Sequence, residues 1–219
     1  MNLFRHAVAL ATMGLAAVAL PAGAQTFLSG SLTTDNAFFA YISTSPSTLG
    51  TLIGSGNNWP TTFNLTSAAL APGQTYYLNI EAINGGGPGG LIGDFKLSDN
   101  QFKFGNGTQA LLTDSTNWTA GYNGSSSSVT PQPWVPPTGP VLSLGANGAP
   151  TWGSRPGIGS SALWIWGSDG QSAPSGAPCQ FCTVDFSTTI TSAVPEPSSY
   201  AMMVAGLAAI GFALRRRTL

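Results

Sequence analysis

Histidine is almost missing from this 219-residue chain: the only one is His6. Charge is scarce too, at 7% of residues, and cysteine is confined to Cys179 and Cys182. Each scarcity removes a class of chemistry. A Ser-His-Asp or Cys-His hydrolase takes its base from imidazole, and a zinc enzyme usually takes a ligand from it. Between residues 25 and 193 there is no imidazole, so neither can be assembled there. The basic residues of that stretch are Lys96, Lys103 and Arg155, against Asp35, Glu81, Asp94, Asp99, Asp114, Asp169 and Asp185. Three cations against seven anions leave a net −4. A surface so poor in cations has no patch to pair with phosphates, which excludes a nucleic-acid partner.

What is present begins with the two ends. Met1 to His6 carries Arg5, Ala7 to Leu20 is almost wholly apolar, and Pro21 breaks the run before Ala22-Gly23-Ala24. These are the charged region, apolar region and small-residue cleavage site of a secretory signal peptide over 1–24. Signal peptidase is expected to cut after Ala24 and leave Gln25 first, so His6 departs with the leader. At the other end, Tyr200 to Leu214 is apolar or small throughout, and Arg215, Arg216 and Arg217 follow at once. This pattern predicts a single C-terminal transmembrane helix. It is short against the roughly 20 residues a bilayer core asks for, but the arginine stems can snorkel. The arginines stay cytoplasmic by the positive-inside rule, in agreement with the leader.

Val194-Pro195-Glu196-Pro197 stands just before that stretch. The two prolines hold the peptide extended and stop the helix from running outward, leaving a rigid segment that a membrane-embedded enzyme can grip. Motif, apolar helix and basic end, in that order over 194–219, resemble the PEP-CTERM sorting domain of Gram-negative bacteria. The resemblance implies recognition by an exosortase, removal of the tail at or near the motif, and passage from the inner membrane to the cell surface or exopolysaccharide matrix.

Residues 25–193 are one domain's worth of chain. "NAFFAYIS" (36–43), "TTFNL" (61–65), "QTYYLNIEAIN" (74–84), "GLIGDFKLS" (90–98), "QFKF" (101–104), "SALWIW" (161–166) and "CTVDFSTTIT" (182–191) read as strands. In the third, Tyr76, Leu78, Ile80 and Ala82 alternate with Tyr77, Asn79 and Glu81, a period of two. Glycine and proline clusters punctuate the runs, and no helical period is sustained between the ends. The expectation is an all-β ectodomain, a jelly roll or β-sandwich. The Ser/Pro/Gly-rich stretch 125–159 reads as an insertion outside the strand pattern. "TTDNAFFAYIS", "LAPGQTYYLNIEAINGGGPGGLIGDF" and "ALWIW…CTVDFSTTI" resemble galactose-binding-like jelly rolls. The resemblance implies a fold nucleus of Asp35, Asn36, Pro72, Gly73, Gly87, Pro88, Gly89, Trp164 and Trp166, and says little of a ligand.

Aromatic faces stack on sugar rings, so exposed tryptophan is a natural carbohydrate platform. Trp59, Trp118 and Trp134 stand in polar or proline-rich sequence and read as surface candidates, Trp59 and Trp118 above all. Trp164 and Trp166 share one face of their strand by period two, Leu163 and Ile165 the other, and one of these faces is core. Cys179 and Cys182 lack the βαβ context of a redox pair and read as a short-loop disulfide in an oxidising compartment. Asp94, Asp99, Asn100 and Asp114 read as solvated loop groups, with a structural calcium as the alternative. No cofactor is expected. Two functions follow: a non-catalytic, possible carbohydrate-binding protein of the surface or exopolysaccharide matrix, or a carboxylate-dependent glycan-active enzyme, although no acid pair stands out in the sequence.

Overall fold

The computed structural model describes residues 25–125, 129–167, 181–193 and 197–215. Among them run β1 (Leu28–Asp35), β2 (Ala37–Ser43), β3 (Thr51–Gly56), β4 (Phe63–Thr66), β5 (Thr75–Asn84) and β6 (Gly90–Leu97). Then come β7 (Phe102–Phe104), β8 (Ala110–Leu112), β9 (Thr119–Ser125), β10 (Val141–Ala146), β11 (Leu163–Gly167), β12 (Cys182–Ser192) and the helix α1 (Pro197–Arg215). One sheet runs β10-β11-β6-β1-β4 with β8 beside β6, and the other runs β3-β2-β5-β12-β7 with β9 beside β12. The strand pairings within both are antiparallel. The all-β sandwich expected from the sequence is therefore present.

Period-two alternation builds the core between the sheets. From the second sheet come Phe38, Leu78, Ile80, Val184 and Phe186, and from the first Leu32, Leu91, Phe95 and Ile165. Burying a side chain of this size contributes roughly 1.5–3 kcal/mol, so a handful of such residues outweighs any surface term. The intervening residues of β5 and β12 face the other way, outside the sandwich, and pair directly across the two strands. The rungs are Tyr77 with Thr189, Asn79 with Ser187, and Glu81 with Asp185.

Of the stretch 125–159, the described residues 129–159 are not an insertion beside the fold but part of it. Residues 129–140 cross the outer face of the second sheet as an extended, proline-rich strap. β10 forms an edge of the first sheet against β11. The following loop folds Trp152 and Ile158 into a second apolar cluster with Ile92, Ala162 and Trp164. β1 was likewise outside the strands expected from the sequence. Its small residues hide its role: a Cβ at Gly30 would lie 2.6 Å from the Phe95 ring, so the strand stays small to seat a large neighbour.

Candidate functional site

Glu81 and Asp185 are the feature that the sequence did not disclose. They face each other across β5 and β12, and both are fully buried although they lie on the outer face. The strap covers them. The backbone N–H of Gln132 donates to Glu81 Oε1 at 2.8 Å, and that of Val135 donates to Asp185 Oδ2 at 3.1 Å. Tyr41 of β2 donates its hydroxyl to Glu81 Oε2 at 3.1 Å. One rung along, Ser187 donates to Asn79 Oδ1 at 2.8 Å, and the Asn79 amide donates to the carbonyls of Thr48 and Leu49 at 3.0 and 3.3 Å. Trp134 fastens the strap to the β2–β3 loop by donating from Nε1 to Pro46 O at 3.0 Å.

Burial governs the electrostatics of this ladder, because removing a carboxylate from water disfavours its charge. Asp185 is pushed up to about 8, by burial first and by the Glu81 charge beside it, against the Val135 N–H and the Asn123 amide. Burial also raises Glu81, opposed by the Gln132 N–H and the Tyr41 hydroxyl. Tyr41 is raised by burial and then by the charge and hydrogen bond of Glu81 and the charge of Asp185. Two like charges in register cannot both ionise cheaply, so the neutral form of Asp185 is favoured toward neutral pH. Chemically this is a pair of buried carboxyl groups closed off from solvent by the strap it holds.

The predicted tryptophan platforms fare differently. Trp118 is not a surface residue: it is buried, 5.5 Å from the Phe95 ring, with Nε1 donating to Leu112 O at 3.2 Å. The polarity around it serves a turn instead. Asp114 Oδ1 accepts the N–H groups of Thr116 and Asn117 at 2.7 and 2.6 Å. Trp59 is half-buried against the second cluster, and the Arg155 guanidinium lies 5.2 Å from its ring centre. Arg155 is itself held by the carbonyls of Pro60 and Trp152 at 3.0 and 2.6 Å. Trp164 and Trp166 join different apolar clusters. Trp164 stacks on Trp152 with centroids 4.5 Å apart, whereas Trp166 joins the main core 5.9 Å from Phe186.

The nucleus implied by the galactose-binding-like resemblance consists of turn and packing residues. Asp35 Oδ2 accepts the Trp152 indole N–H at 3.0 Å, and Asn36 Oδ1 accepts the Gly85 N–H at 2.6 Å. Burial raises the Asp35 carboxyl above the ordinary range, opposed by that indole bond. Gly73 and Gly87 take positive φ, 79° and 76°, in turns beside exposed Pro72 and Pro88. A Cβ at Gly89 would meet the Trp166 ring at 2.8 Å, and one at Gly90 would meet Trp152 at 2.8 Å and Trp164 at 3.0 Å. The glycine-rich turn is thus a seat for three indoles.

The loop acids do not converge. Asp94 Oδ2 accepts the Gly159 N–H at 3.3 Å, Asp99 Oδ1 accepts Thr26 Oγ1 at 2.6 Å and the Gln101 N–H at 2.9 Å, and Asn100 is exposed. Among the described residues no group of three His, Cys, Asp or Glu side chains is placed to hold a metal ion. Cys182 is buried and disulfide-bonded, and Cys179, the other cysteine of the chain, lies outside the described residues.

Of the predicted sorting elements, the signal peptide with Ala22 and Ala24 lies outside the described residues, as do Val194, Pro195, Glu196, Arg216 and Arg217. Gln25 is exposed at the start of the described chain. Pro197 opens α1 and Arg215 ends it, a helix of 19 residues. The helix bares its apolar side chains, with Met202 74%, Leu207 62% and Ile210 59% exposed. Among the described residues no helix is long and apolar enough to cross a membrane, so the expected transmembrane helix is not borne out. No curated protein and no solved structure matches the chain. Residues 193–217, however, match the PEP-CTERM protein-sorting motif, a stretch that takes in Pro-Glu-Pro, α1 and the two arginines beyond its end. The chain therefore carries a PEP-CTERM sorting signal behind an all-β body.

Proposed function

We propose that this is an exported, non-catalytic protein of the cell surface or exopolysaccharide matrix, delivered there by exosortase processing of its tail. The PEP-CTERM match over 193–217 carries the reading. The leader sends the body across the inner membrane of a Gram-negative cell, the apolar surface of α1 keeps it there transiently, and cleavage near Pro195-Glu196-Pro197 frees it. The body then binds carbohydrate of the matrix without cutting it. A composition with little charge and no imidazole between residues 25 and 193 supports binding over catalysis. Replacing Pro195, Glu196 and Pro197 with alanine lets the helix extend outward and removes the rigid segment. A full-length, membrane-bound product should accumulate, read by mass and fractionation. Normal processing of the triple variant would sink the proposal.

The second reading, a carboxylate-dependent glycan-active enzyme, draws on the in-register Glu81–Asp185 pair. Complete burial of both groups beneath the strap counts against it. Release of reducing ends from the host's exopolysaccharide, lost in Glu81→Gln, would favour this reading over the first.

A further inference from the structure

The outer face of the second sheet is covered at one end and open at the other. The strap closes over Glu81 and Asp185, and two rungs along, at Tyr77 and Thr189, the same face is half-exposed. There a groove of about 320 Å³ opens between the strap, the β2–β3 loop and the turn before β9. Pro136 and Pro137 of the strap form one wall, Pro46 another, and Thr116 and Asn117 a third. Pro46 and the strap are tied by the Trp134 bond, and Asn117 is tied to β12 because its carbonyl accepts the Thr188 hydroxyl at 2.8 Å. The walls are therefore preformed.

We propose that this groove binds a neutral sugar unit of a polysaccharide, with the Tyr77 ring as its stacking face and the threonine hydroxyls as its hydrogen-bond partners. The inference rests on the reading of the body as a carbohydrate binder, and gives that reading a place. The chemistry of the lining selects the ligand. No charged side chain lines the groove, so an anionic or cationic ligand would give up its hydration without an ionic partner. The lining supplies hydroxyls, one primary amide, proline rings and an aromatic ring. A sugar ring presents that same mixture, hydroxyls at its rim and C–H groups on its face. The volume falls at the small end of ligand sites, about 300–1,000 Å³, which suits one or two rings held from the side. Trp118, one of the two platforms the sequence offered, also lines the groove but is buried with its ring 5.5 Å from Phe95. That leaves Tyr77 as the stacking face.

The test is calorimetric titration of the exported protein with cellotetraose, maltotetraose, the host's own exopolysaccharide and, as a charged probe, digalacturonic acid. A neutral glycan should bind, and affinity should fall at least tenfold in Tyr77→Ala and severalfold in Thr189→Val, which removes a hydroxyl and keeps the shape. Lys96→Ala, at an exposed position of β6 in the other sheet, should bind as wild type does. If a neutral glycan binds but both groove variants match wild type, the groove is overturned and the carbohydrate reading stands. Binding of digalacturonic acid alone overturns the neutral specificity. If wild type binds none of the probes, both the groove and the carbohydrate reading fall.

Discussion

At about pH 5 the folded chain keeps a proton on Asp185 that an unfolded aspartate, titrating near 3.8, has already lost. Between that value and about 8 the folded state binds more protons than the unfolded one, so stability falls as pH rises. Glu81 and Asp35, raised by burial too, push in the same direction. One proton sets a limit of about 1.4 kcal/mol per pH unit on the contribution of Asp185. The melting temperature should therefore be lower at about pH 8.5 than at about pH 5, the reverse of ordinary acid denaturation. Asp185→Asn, which keeps an acceptor for Val135 and carries no charge, should flatten that slope. A wild-type melting temperature that rises over this range would show the pair to be ionised in the native state. The sequence places Glu81 on the outward side of an alternating strand, and that much was legible. Its partner was not, because the match to Asp185 is set by the register of β5 on β12, a tertiary fact. Trp118 misled for the opposite reason: its polar neighbours looked like surface but were spent on the Asp114 turn.

Strands rich in aromatic and β-branched residues declared themselves, and β2, β5, β6 and β12 lie within two residues of where the sequence puts them. β1 and β10 did not, since small residues and glycines carry little period of their own and are strands because larger neighbours pack on them. The same logic makes the turn between β5 and β6 testable. Gly90 has an ordinary backbone conformation, so alanine there brings no φ penalty and only a methyl group aimed at Trp152 and Trp164. Overpacking of this kind typically costs about 1–3 kcal/mol. Gly90→Ala should lower stability by that amount in denaturant titration and weaken the near-ultraviolet dichroism of the stacked indoles. Unchanged stability would mean that the 4.5 Å stack has room to slide.

For the molecule as a whole, both ends of the body meet at one turn. Thr26 and Phe27 bond to the side chains of Asp99 and Ser98, at 2.6 and 3.0 Å, and the Ala193 N–H donates to Gln101 O at 2.7 Å. Cleavage at the proposed site after Ala24 would therefore leave the new N-terminus beside the start of the tail. N-terminal mass analysis of the exported protein should find Gln25 first, and a chain that still begins at Met1 would sink export. The tail also leaves from β12, which lies inside its sheet, between β5 and strands β7 and β9. Wherever the C-terminus is fastened, a pull on it acts along the axis of β12. The ten rungs from Cys182–Asn84 to Thr191–Thr75 then resist together in shear, instead of opening one at a time as the rungs of an edge strand would. A strand so placed meets tension on the C-terminus with its whole length of pairing and not with one rung at a time.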